Sequence, residues 1–174
     1  SPFRIRQQFG PGKDWEEHPV QTSFLTNQNR EGLAHYLTFY PKLSVRIYCL
    51  SADSLIYRQD YATGTLDCTQ TTDEDGHITL EFKDRATDRV LLSRVMDGEV
   101  MHDTYYVYDD YGNLRMVLPS AASDLLTSTT TPASWIETVE AIQKYAYVYK
   151  YDGRNRCIYR KLPGCDPVYT VYDV

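Results

Sequence analysis

Long apolar runs and clusters of basic residues are missing from this sequence. No segment approaches the roughly 18 apolar residues of a membrane-spanning helix, so we expect no membrane insertion. The 18 Lys and Arg residues are scattered among 24 Asp and Glu residues, and the net charge is −6. A basic face for nucleic acid is therefore not expected. The opening stretch, SPFRIRQQFG, has neither the basic nor the apolar region of a signal peptide.

The motifs of common catalytic sites are also missing. There is no nucleophile elbow G-x-S-x-G, and the four His residues stand apart without a paired metal ligand at helical spacing. The stretch GPGKD at 10–14 resembles a phosphate loop superficially, but Gln7 stands where the first Gly is needed and Asp14 replaces the Ser or Thr. The sequence therefore predicts a non-catalytic chain, with no cofactor-binding residues and no metal ligands.

The four cysteines, Cys49, Cys68, Cys157 and Cys165, show no CxxC spacing and have no His nearby. A zinc site is therefore not expected. Cys157 and Cys165 are close enough in sequence for a local disulfide, and Cys49 could pair with Cys68 across neighbouring strands. Packing of all four as free thiols, in the manner of small hydrophobic residues, is the favoured interpretation.

Material for a β-rich core, in contrast, is plentiful. Hydrophobic residues make up 42% of the 174 residues, and Tyr alone accounts for 16 of them. Tyr suits half-buried strands, because the ring packs while the hydroxyl stays near water. From Leu43 onward, short runs rich in β-branched and aromatic residues alternate with turn residues. This pattern predicts a mainly β fold, an antiparallel meander of β-hairpins.

Composition divides the chain into three regions. Residues 1–42 are interpreted as an irregular leader with one short strand near LAHYLTFY, residues 43–75 as a β-rich region, and residues 76–174 as a series of hairpins. Within the last region, the segment at about 120–145 departs from the β pattern and contains helix signals.

A helix start is indicated after Pro132. Ser134 and Glu137 have the spacing of a capping box, and the apolar residues of this segment are spaced for one helical face: Trp135, Val139, Ile142 and Ala146. We therefore expect one inserted α-helix around 133–145, of about three turns.

Two turn sequences share one spacing. In DDYG, Asp109 opens a four-residue turn and Gly112 closes it with positive φ, which predicts a type I turn followed by a bulge. In DGRN, Asp152 and Asn155 fill the same places, and Asn is the residue other than Gly that best tolerates this conformation. The two sequences therefore predict the same kind of hairpin.

Two further stretches repeat the spacing, namely DEDG at 73–76 and DRAT at 84–87, where Thr87 takes the Gly position. DEDG crowds carboxylates as a calcium loop does, but the Gly and Glu of an EF-hand are not at their places, so a solvated turn is favoured. The adjacent carboxylates Asp109 and Asp110 suggest a glycosidase pair. A turn cap explains the first of them and is again favoured.

In both turns a Tyr directly precedes the Asp. With these residues in place, YVYDDYGNLRMVL and YKYDGRNRCIYRKLPG resemble the YD-repeat, or RHS (rearrangement hotspot), family, whose pattern is Y-x-Y-D-x-x-G-R-L. The stretch LEFKDRATDRVLLSRVMDG is a looser match, with Phe82 for Tyr and an extra residue in the turn. The stretch TYYVYDDYGNLRMVLP is similar to the large RHS proteins of Bacteroidetes. The residues matched to the repeat are Tyr108, Asp109, Gly112, Tyr151, Asp152, Asn155, Tyr172 and Asp173.

The repeat spacing is regular apart from the helical segment. Tyr151 and Tyr172 lie 21 positions apart, while Tyr108 and Tyr151 lie 43 positions apart. The second interval is close to two repeats, so the inserted segment occupies about one repeat's length of chain.

The resemblance implies a spiral of hairpins that forms a hollow shell, in some family members around a C-terminal toxin or effector domain released by a self-cleaving aspartate protease element. Neither the self-cleavage motif nor a toxin domain is found in this sequence, so those residues are not transferred. The resemblance implies a scaffold segment of a cell-surface or secreted bacterial protein. Its partners would be the remaining repeats and the C-terminal domain.

Exposed Tyr residues suggest an alternative, a carbohydrate-binding module in which rings stack on glycans; a glycan hydrolase is a third hypothesis. Because Tyr105, Tyr106 and Tyr108 alternate across the predicted sheet, packing is favoured over ligand contact for any one Tyr. A segment with few repeats also exposes sheet edges. Edge-to-edge association with a second copy is therefore expected.

Overall fold

The computed structural model describes residues 5–11, 19–28 and 43–173. Within them the strands are β1 (Ile5–Gln8), β2 (Val20–Thr26), β3 (Arg46–Ser51), β4 (Ser54–Asp60), β5 (Leu66–Thr72), β6 (Ile78–Asp84), β7 (Val90–Asp97), β8 (Val100–Tyr108), β9 (Leu114–Leu118), β10 (Ala133–Ile136), β11 (Tyr147–Tyr151), β12 (Cys157–Lys161) and β13 (Val168–Tyr169). The helices are α1 (Ser120–Ser123) and α2 (Glu140–Tyr145). The prediction of a mainly β, antiparallel fold is therefore confirmed.

The interpretation of residues 1–42 as an irregular leader is wrong for two segments, because β1 and β2 lie within it. Their sequences, IRQQ and VQTSFLT, are too polar to show a clear period. Both strands are instead stabilised by backbone pairing, of β1 with β2 and of β2 with β5. The strand expected near LAHYLTFY lies outside the described residues.

The chain divides into two compact units, which also differ from the regions expected from composition. The first comprises Ser1–Val45 and Asp60–His102, and the second comprises Arg46–Gln59 and Asp103–Val174. The hairpin of β3 and β4 belongs to the second unit because β10 pairs with β4 there. Local composition cannot reveal this pairing, since about 75 residues of chain separate the two strands.

In the first unit the strand order is β1-β2-β5-β6-β7, and neighbours are antiparallel. The buried residues of β5, β6 and β7 occupy alternate positions, as expected for one covered face. Phe82 pairs with Cys68 on one side and with Leu92 on the other, and all three are buried. The buried Arg94 donates to the Ser44 carbonyl at 3.0 Å. This contact ties the segment before β3 to the sheet of the first unit.

In the second unit, β8, β9, β11, β12 and β13 follow one another in a sheet, and β10, β4 and β3 form a sheet of three strands. Its largest fully buried side chains are Leu55, Val107, Met116, Leu118, Leu126, Ile142 and Val148. Arg46 connects the small sheet to this core, because its guanidinium donates to the Leu126 carbonyl at 2.8 Å and to the Tyr48 hydroxyl at 3.0 Å. Tyr105 accepts the backbone N–H of Arg46 at 3.2 Å.

The inserted helix is present, but it begins later and is shorter than expected. Helix α2 starts at Glu140, and Ala133–Ile136 forms strand β10 instead of the first helical turn. Ser134 does not cap a helix, because it lies in this strand opposite Ile56 of β4. Pairing with β4 therefore overrides the capping box and the helical spacing of the apolar residues, which tertiary contacts commonly do.

Candidate functional site

The residues matched to the repeat lie mainly in two hairpins of the second unit, here called the YD hairpins. The first joins β8 to β9 around Asp109, and the second joins β11 to β12 around Asp152. In each, the Asp Oδ1 accepts the backbone N–H groups of the residues two and four positions later, at 2.9 to 3.0 Å. The residue three positions later, Gly112 or Asn155, has a φ of 84° or 58°. The turn geometry expected from the sequence is therefore confirmed.

The second carboxylate oxygen of each Asp has a partner that the sequence did not predict. Asp109 Oδ2 accepts a hydrogen bond from Asn113 Nδ2 at 3.2 Å, and Asp152 Oδ2 accepts one from Arg156 Nε at 2.8 Å. Both donors stand four positions after the Asp. A side-chain donor at this fixed offset was the signal in the sequence that could have revealed the contact.

Each YD hairpin also contains one extra residue in its second strand. Tyr108 pairs with Leu114, but the residue before Tyr108 pairs with Met116, which leaves Arg115 unmatched in the register. Ile158 is the counterpart in the second YD hairpin. These bulges lie three positions after Gly112 and Asn155, the left-handed residues at which the sequence predicted a bulge, and they were not themselves predicted. They bend the strand away from regular pairing.

Near the first bulge, hydrogen bonds from side chains join β9 to β11. The backbone pairing of β11 with β9 covers two residues. Past that point, Arg115 Nε donates to the Tyr149 carbonyl at 2.8 Å, and the Tyr151 hydroxyl donates to the Leu114 carbonyl at 2.9 Å. Two polar side chains therefore act where the ladder of backbone hydrogen bonds has ended.

The tyrosine contact recurs at the second bulge. The Tyr172 hydroxyl donates to the Cys157 carbonyl at 3.0 Å. Leu114 and Cys157 both lie five positions after the Asp of their turn, and both Tyr residues directly precede the next Asp. We call this contact the tyrosine clamp: the Tyr of one repeat bonds to the bulge of the preceding hairpin. The sequence predicted that the tyrosine rings pack, and it did not predict the hydrogen bond.

Other side chains join neighbouring repeats at the same end of the hairpins. Asn113 Nδ2 donates to Asn155 Oδ1 at 2.9 Å, which connects the two turns directly. The guanidinium of Arg156 lies 4.5 Å from the centre of the Tyr172 ring, a distance suited to a cation–π contact. The turn residues are therefore part of the connection between repeats as well as of their own hairpins.

Two matched residues remain, Tyr108 and Asp173. Tyr108 is half-buried in β8, and Asp173 is exposed beyond β13. The third copy of the repeat is therefore represented mainly by Tyr172.

Electrostatics favours the ionised form of the Asp in the second turn. The backbone N–H of Arg156 is the main cause that lowers the pKa of Asp152, and the Arg156 side chain and the Arg154 N–H act in the same direction. Partial burial raises the pKa of Tyr151, so its hydroxyl remains a donor at neutral pH. The charges and hydrogen bonds of this turn thus hold the hairpin in one geometry.

The first unit contains a related turn at Asp73. Asp73 Oδ1 accepts the N–H groups of Asp75 and His77, and Gly76 has a φ of 82°. The DRAT stretch differs from expectation, because the positive φ of 55° belongs to Asp88 and not to Thr87. The turn is one residue longer, so the left-handed residue shifts by one position.

Asp73, Asp75 and His77 also bring three ligand atoms within 4.8 Å of one another, and all three residues are exposed. The turn accounts for their positions, because Asp73 Oδ2 contacts His77 Nδ1 at 3.0 Å while Oδ1 caps the backbone. His77 stands four positions after Asp73, as the donors Asn113 and Arg156 stand four positions after the Asp of the YD hairpins. The turn therefore explains the cluster without a metal ion.

The aromatic residues of the described part of the chain differ widely in exposure. Tyr111, at the tip of the first YD hairpin, is 81% exposed and Tyr169 is 71% exposed, whereas Tyr105 is buried. Tyr48 packs edge-on against Tyr105, with ring centres 5.0 Å apart. Among the three rings predicted to alternate, Tyr105 is buried, whereas Tyr106 and Tyr108 are half-buried.

All four cysteines lie in the described part of the chain and are free thiols there; Cys68 is buried and Cys165 is exposed. None of the helices in residues 5–11, 19–28 and 43–173 is long and apolar enough to cross a membrane. Comparisons with known proteins give no match: no protein-family profile, no curated protein and no solved structure matches this chain.

Proposed function

We propose that this chain is a non-catalytic scaffold segment of a large RHS, or YD-repeat, protein. Its hairpins would form part of a β shell of the kind that encloses a C-terminal toxin or effector domain. The tyrosine clamp is the observation that supports the proposal best, because it repeats the same contact at the same offset in successive hairpins. A periodic contact between neighbours is typical of structures that grow by stacking repeats.

Two features of the clamp suit a scaffold. It uses atoms that every repeat supplies, a Tyr hydroxyl and a backbone carbonyl, so it does not depend on a particular partner residue. It also acts where the bulge has ended the backbone ladder, and thus compensates for a weak point of the sheet. The proposed partners are the remaining repeats and the C-terminal domain of the parent protein, at the cell surface or in secreted form.

Hydrogen exchange tests whether neighbouring hairpins share their stability. Arg115→Met removes the donor to the Tyr149 carbonyl while keeping the length of the side chain. We expect faster amide exchange in β9 and also in β11 and β12 of the neighbouring hairpin. Arg154→Met, at the exposed turn of the second YD hairpin, is the matched control and should leave exchange unchanged. Faster exchange confined to β9 would contradict a shared scaffold.

The reading frame that contains this chain provides a test of the larger claim. We expect further Tyr-Asp hairpins followed by an unrelated C-terminal domain, and protease resistance of that domain in the intact parent protein. A reading frame without further Tyr-Asp units would contradict the proposed shell. A C-terminal domain that is cleaved as readily within the parent protein as alone would contradict it too.

A carbohydrate-binding module is the alternative, and the solvent-facing rings of Tyr111 and Tyr169 favour it. Aromatic rings standing off a sheet can stack on the apolar face of a sugar. Glycan-array binding that is lost in Tyr111→Ala or Tyr169→Ala would support this function. If the unmodified chain binds no glycan on the array, the carbohydrate-binding alternative is excluded.

Association of two copies through the β13 edge is a further part of the proposal. β13 pairs with β12 over two residues, and Val168 and Tyr169 on this strand are exposed. Exposed strand edges with apolar side chains favour pairing with another edge. Light scattering is expected to show a dimer that Val168→Lys converts to a monomer, and a strict monomer at high concentration would exclude it.

A further inference from the structure

A cavity of about 480 Å³ lies in the second unit beside helix α2. Val148 of β11 and Lys161 of β12, which pair across the two strands, line it together with the turn at Gly164–Cys165. Its volume falls in the range of about 300 to 1,000 Å³ that small-molecule sites occupy. None of the residues in the Asp turns of the YD hairpins lines it, so the cavity is separate from those turns.

Lys161 is the unusual lining residue, because it is a buried cation without an ion-pair partner in the described part of the chain. Three other lysines are described, and each of them lies within 4.0 Å of at least one carboxylate: Lys83, Lys144 and Lys150. Lys161 is the most buried of the four, with 9% of its surface exposed. Buried charges in proteins are ordinarily paired. A counter-charge is therefore missing beside Lys161.

Hydrogen bonds satisfy the ammonium of Lys161 only in part. Its Nζ donates to the carbonyls of Ile142 and Gln143 at the end of α2. An ammonium group has three N–H donors, and these two carbonyls are its acceptors among residues 5–11, 19–28 and 43–173. The carbonyls hold the amine in place, but they do not supply a full negative charge.

The charged end of Lys161 lies among the groups that line the cavity. Gln143, whose carbonyl accepts from Nζ, is a lining residue. Glu137 and Cys165 are lining residues too, and both act electrostatically on this amine. The turn after β12 closes over the same place, because a Cβ added to Gly164 would lie 3.9 Å from the carbonyl of the last helical Lys.

The pKa values of two lysines differ in the direction expected for a missing counter-charge. Burial lowers the pKa of Lys161, and Cys165 and Glu137 oppose this effect only in part. Burial also acts on Lys150, but the hydrogen bonds and charges of Glu137 and Asp53 outweigh it and raise the pKa of Lys150. An anion in the cavity would give Lys161 the same kind of partner.

The lining indicates which kind of anion fits. One positive charge lacks a partner, and Asp166 in the lining would repel a second negative charge on the ligand. The charge of Glu137 is already compensated by Lys150, at 3.0 Å. The cavity is much larger than the roughly 30 Å³ of one water molecule, and Val148 and Pro167 add apolar surface to it. An organic monoanion therefore fits better than a small inorganic ion.

We propose that this cavity binds a small monocarboxylic acid, whose carboxylate pairs with the Lys161 ammonium and whose apolar part lies against Val148. Thr138 and Gln143, which also line the cavity, can donate hydrogen bonds to the same carboxylate. The site goes beyond the scaffold function, and it differs from the carbohydrate-binding alternative, which depends on the exposed rings of Tyr111 and Tyr169.

Nuclear magnetic resonance titration of the full chain tests the charge requirement by comparing sodium butyrate with butyramide, a neutral molecule of nearly the same shape. At constant ionic strength, butyrate should produce saturable shifts of the Val148 methyl groups and the Gly164 amide, and butyramide should bind about tenfold more weakly or less. Equal binding of the two, or no saturable shift with butyrate, would overturn the proposal. Tighter binding of sulfate, a dianion, would overturn the choice of a monoanion.

The titration of Lys161 itself gives a readout that a purely structural role of this residue would not change. Because a bound carboxylate favours the charged amine, saturating butyrate should raise the pKa of Lys161, followed through its Cε resonance, and butyramide should not. The pKa of Lys144 should stay the same, since Glu140 already pairs with it at 2.7 Å. An unchanged pKa of Lys161 at saturating butyrate would refute the ion pair.

Lys161→Met and Lys144→Met form a matched pair of variants, because both residues line the cavity and only Lys144 has a carboxylate partner in the described part of the chain. Lys161→Met should weaken butyrate binding by about tenfold or more, and Lys144→Met by about twofold at most. Equal losses in the two variants would contradict the role of Lys161. The pKa measurement needs no substitution, so it keeps the test valid if Lys161→Met disturbs the end of α2.

Discussion

The β5–β6 hairpin of the first unit and the YD hairpins of the second unit have nearly the same turn but different strands. In all of them an Asp caps two backbone N–H groups, and a donor side chain four positions later binds its second oxygen. The β5–β6 ladder nevertheless continues without a register shift, whereas both YD hairpins have a bulge. The Asp turn alone therefore does not produce the bulge.

The two kinds of hairpin differ in the contacts of the strand that comes after the turn. In the YD hairpins, a Tyr from the next repeat bonds to a carbonyl at the bulge. In the β5–β6 hairpin, β6 pairs regularly with β7 along most of its length, and its register shifts only near the next turn, between Phe82 and Lys83. In the sequence pattern the Tyr directly precedes an Asp. Its hydroxyl, however, forms a hydrogen bond with the hairpin of the previous Asp, so its structural role lies in that preceding hairpin.

The largest effect is expected from a change that tests what the turns share. Gly112 and Gly76 both have positive φ, so Gly112→Ala and Gly76→Ala should each lower the free energy of unfolding by about 1 to 2 kcal/mol. Urea denaturation measures both. Gly153→Ala is the control, because Gly153 has neither positive φ nor an atom near its added Cβ. A loss at Gly153 as large as at Gly112 would show that turn conformation is not the cause.

Removing the clamp tests what the turns do not share. Tyr151→Phe deletes the hydroxyl that bonds to the Leu114 carbonyl, and we expect a loss of about 1 kcal/mol. Tyr172→Phe should cost less, since Tyr172 is 40% exposed and water can replace the bond. Tyr111→Phe, at the exposed turn, should change stability little. Thermal unfolding of the three variants provides the measurement, and equal effects at Tyr111 and Tyr151 would argue against the clamp.

Two non-glycine residues with positive φ allow a finer comparison. Asp88→Gly should stabilise the first unit by about 0.5 kcal/mol, since Gly adopts this conformation without strain. Asn155→Gly gains the same relief but loses the hydrogen bond from Asn113, so its net effect should be smaller. A larger gain at Asn155 in urea denaturation would mean that the bond between the two turns contributes nothing.

The smallest effect concerns acid stability. Backbone hydrogen bonds lower the pKa of Asp73 and of Asp152 in the folded chain. A lowered folded-state pKa stabilises the fold above the unfolded value of about 4, and this stabilisation is lost as pH falls through the folded value. Asp152→Asn should therefore reduce the decline of the melting temperature below pH 4, while Asp110→Asn controls for net charge. An identical decline in both variants would contradict this assignment.

The sequence predicts local features of this fold well. The type of turn at Asp109 and Asp152 is set by residues within four positions, and the strands between Leu43 and Leu118 are indicated by their composition. These features depend on interactions along a short stretch of chain, which a pattern can represent. The tyrosine clamp was missed because it joins residues 37 and 15 positions apart.

Features set by distant partners could not be predicted in this way. The segment at Ala133–Ile136 has helix signals, but β4 supplies its backbone partners from far along the chain. Strands β1 and β2 have weak strand signals and are formed by pairing. The cavity beside α2 combines Glu137 with residues of β11 and β12, and only the folded chain brings these together.

The segment between β9 and β11 shows that chain can be inserted between two paired strands of this sheet. Although Pro119–Ala146 contains two helices and a strand, β9 and β11 still pair directly on either side of it. Residues 127–132 within it are all exposed, and such loops accept added chain at a small cost in entropy. Additional chain could be inserted here while β9 and β11 remain paired. Unequal spacing between Tyr-Asp pairs is therefore compatible with uninterrupted pairing of the hairpins.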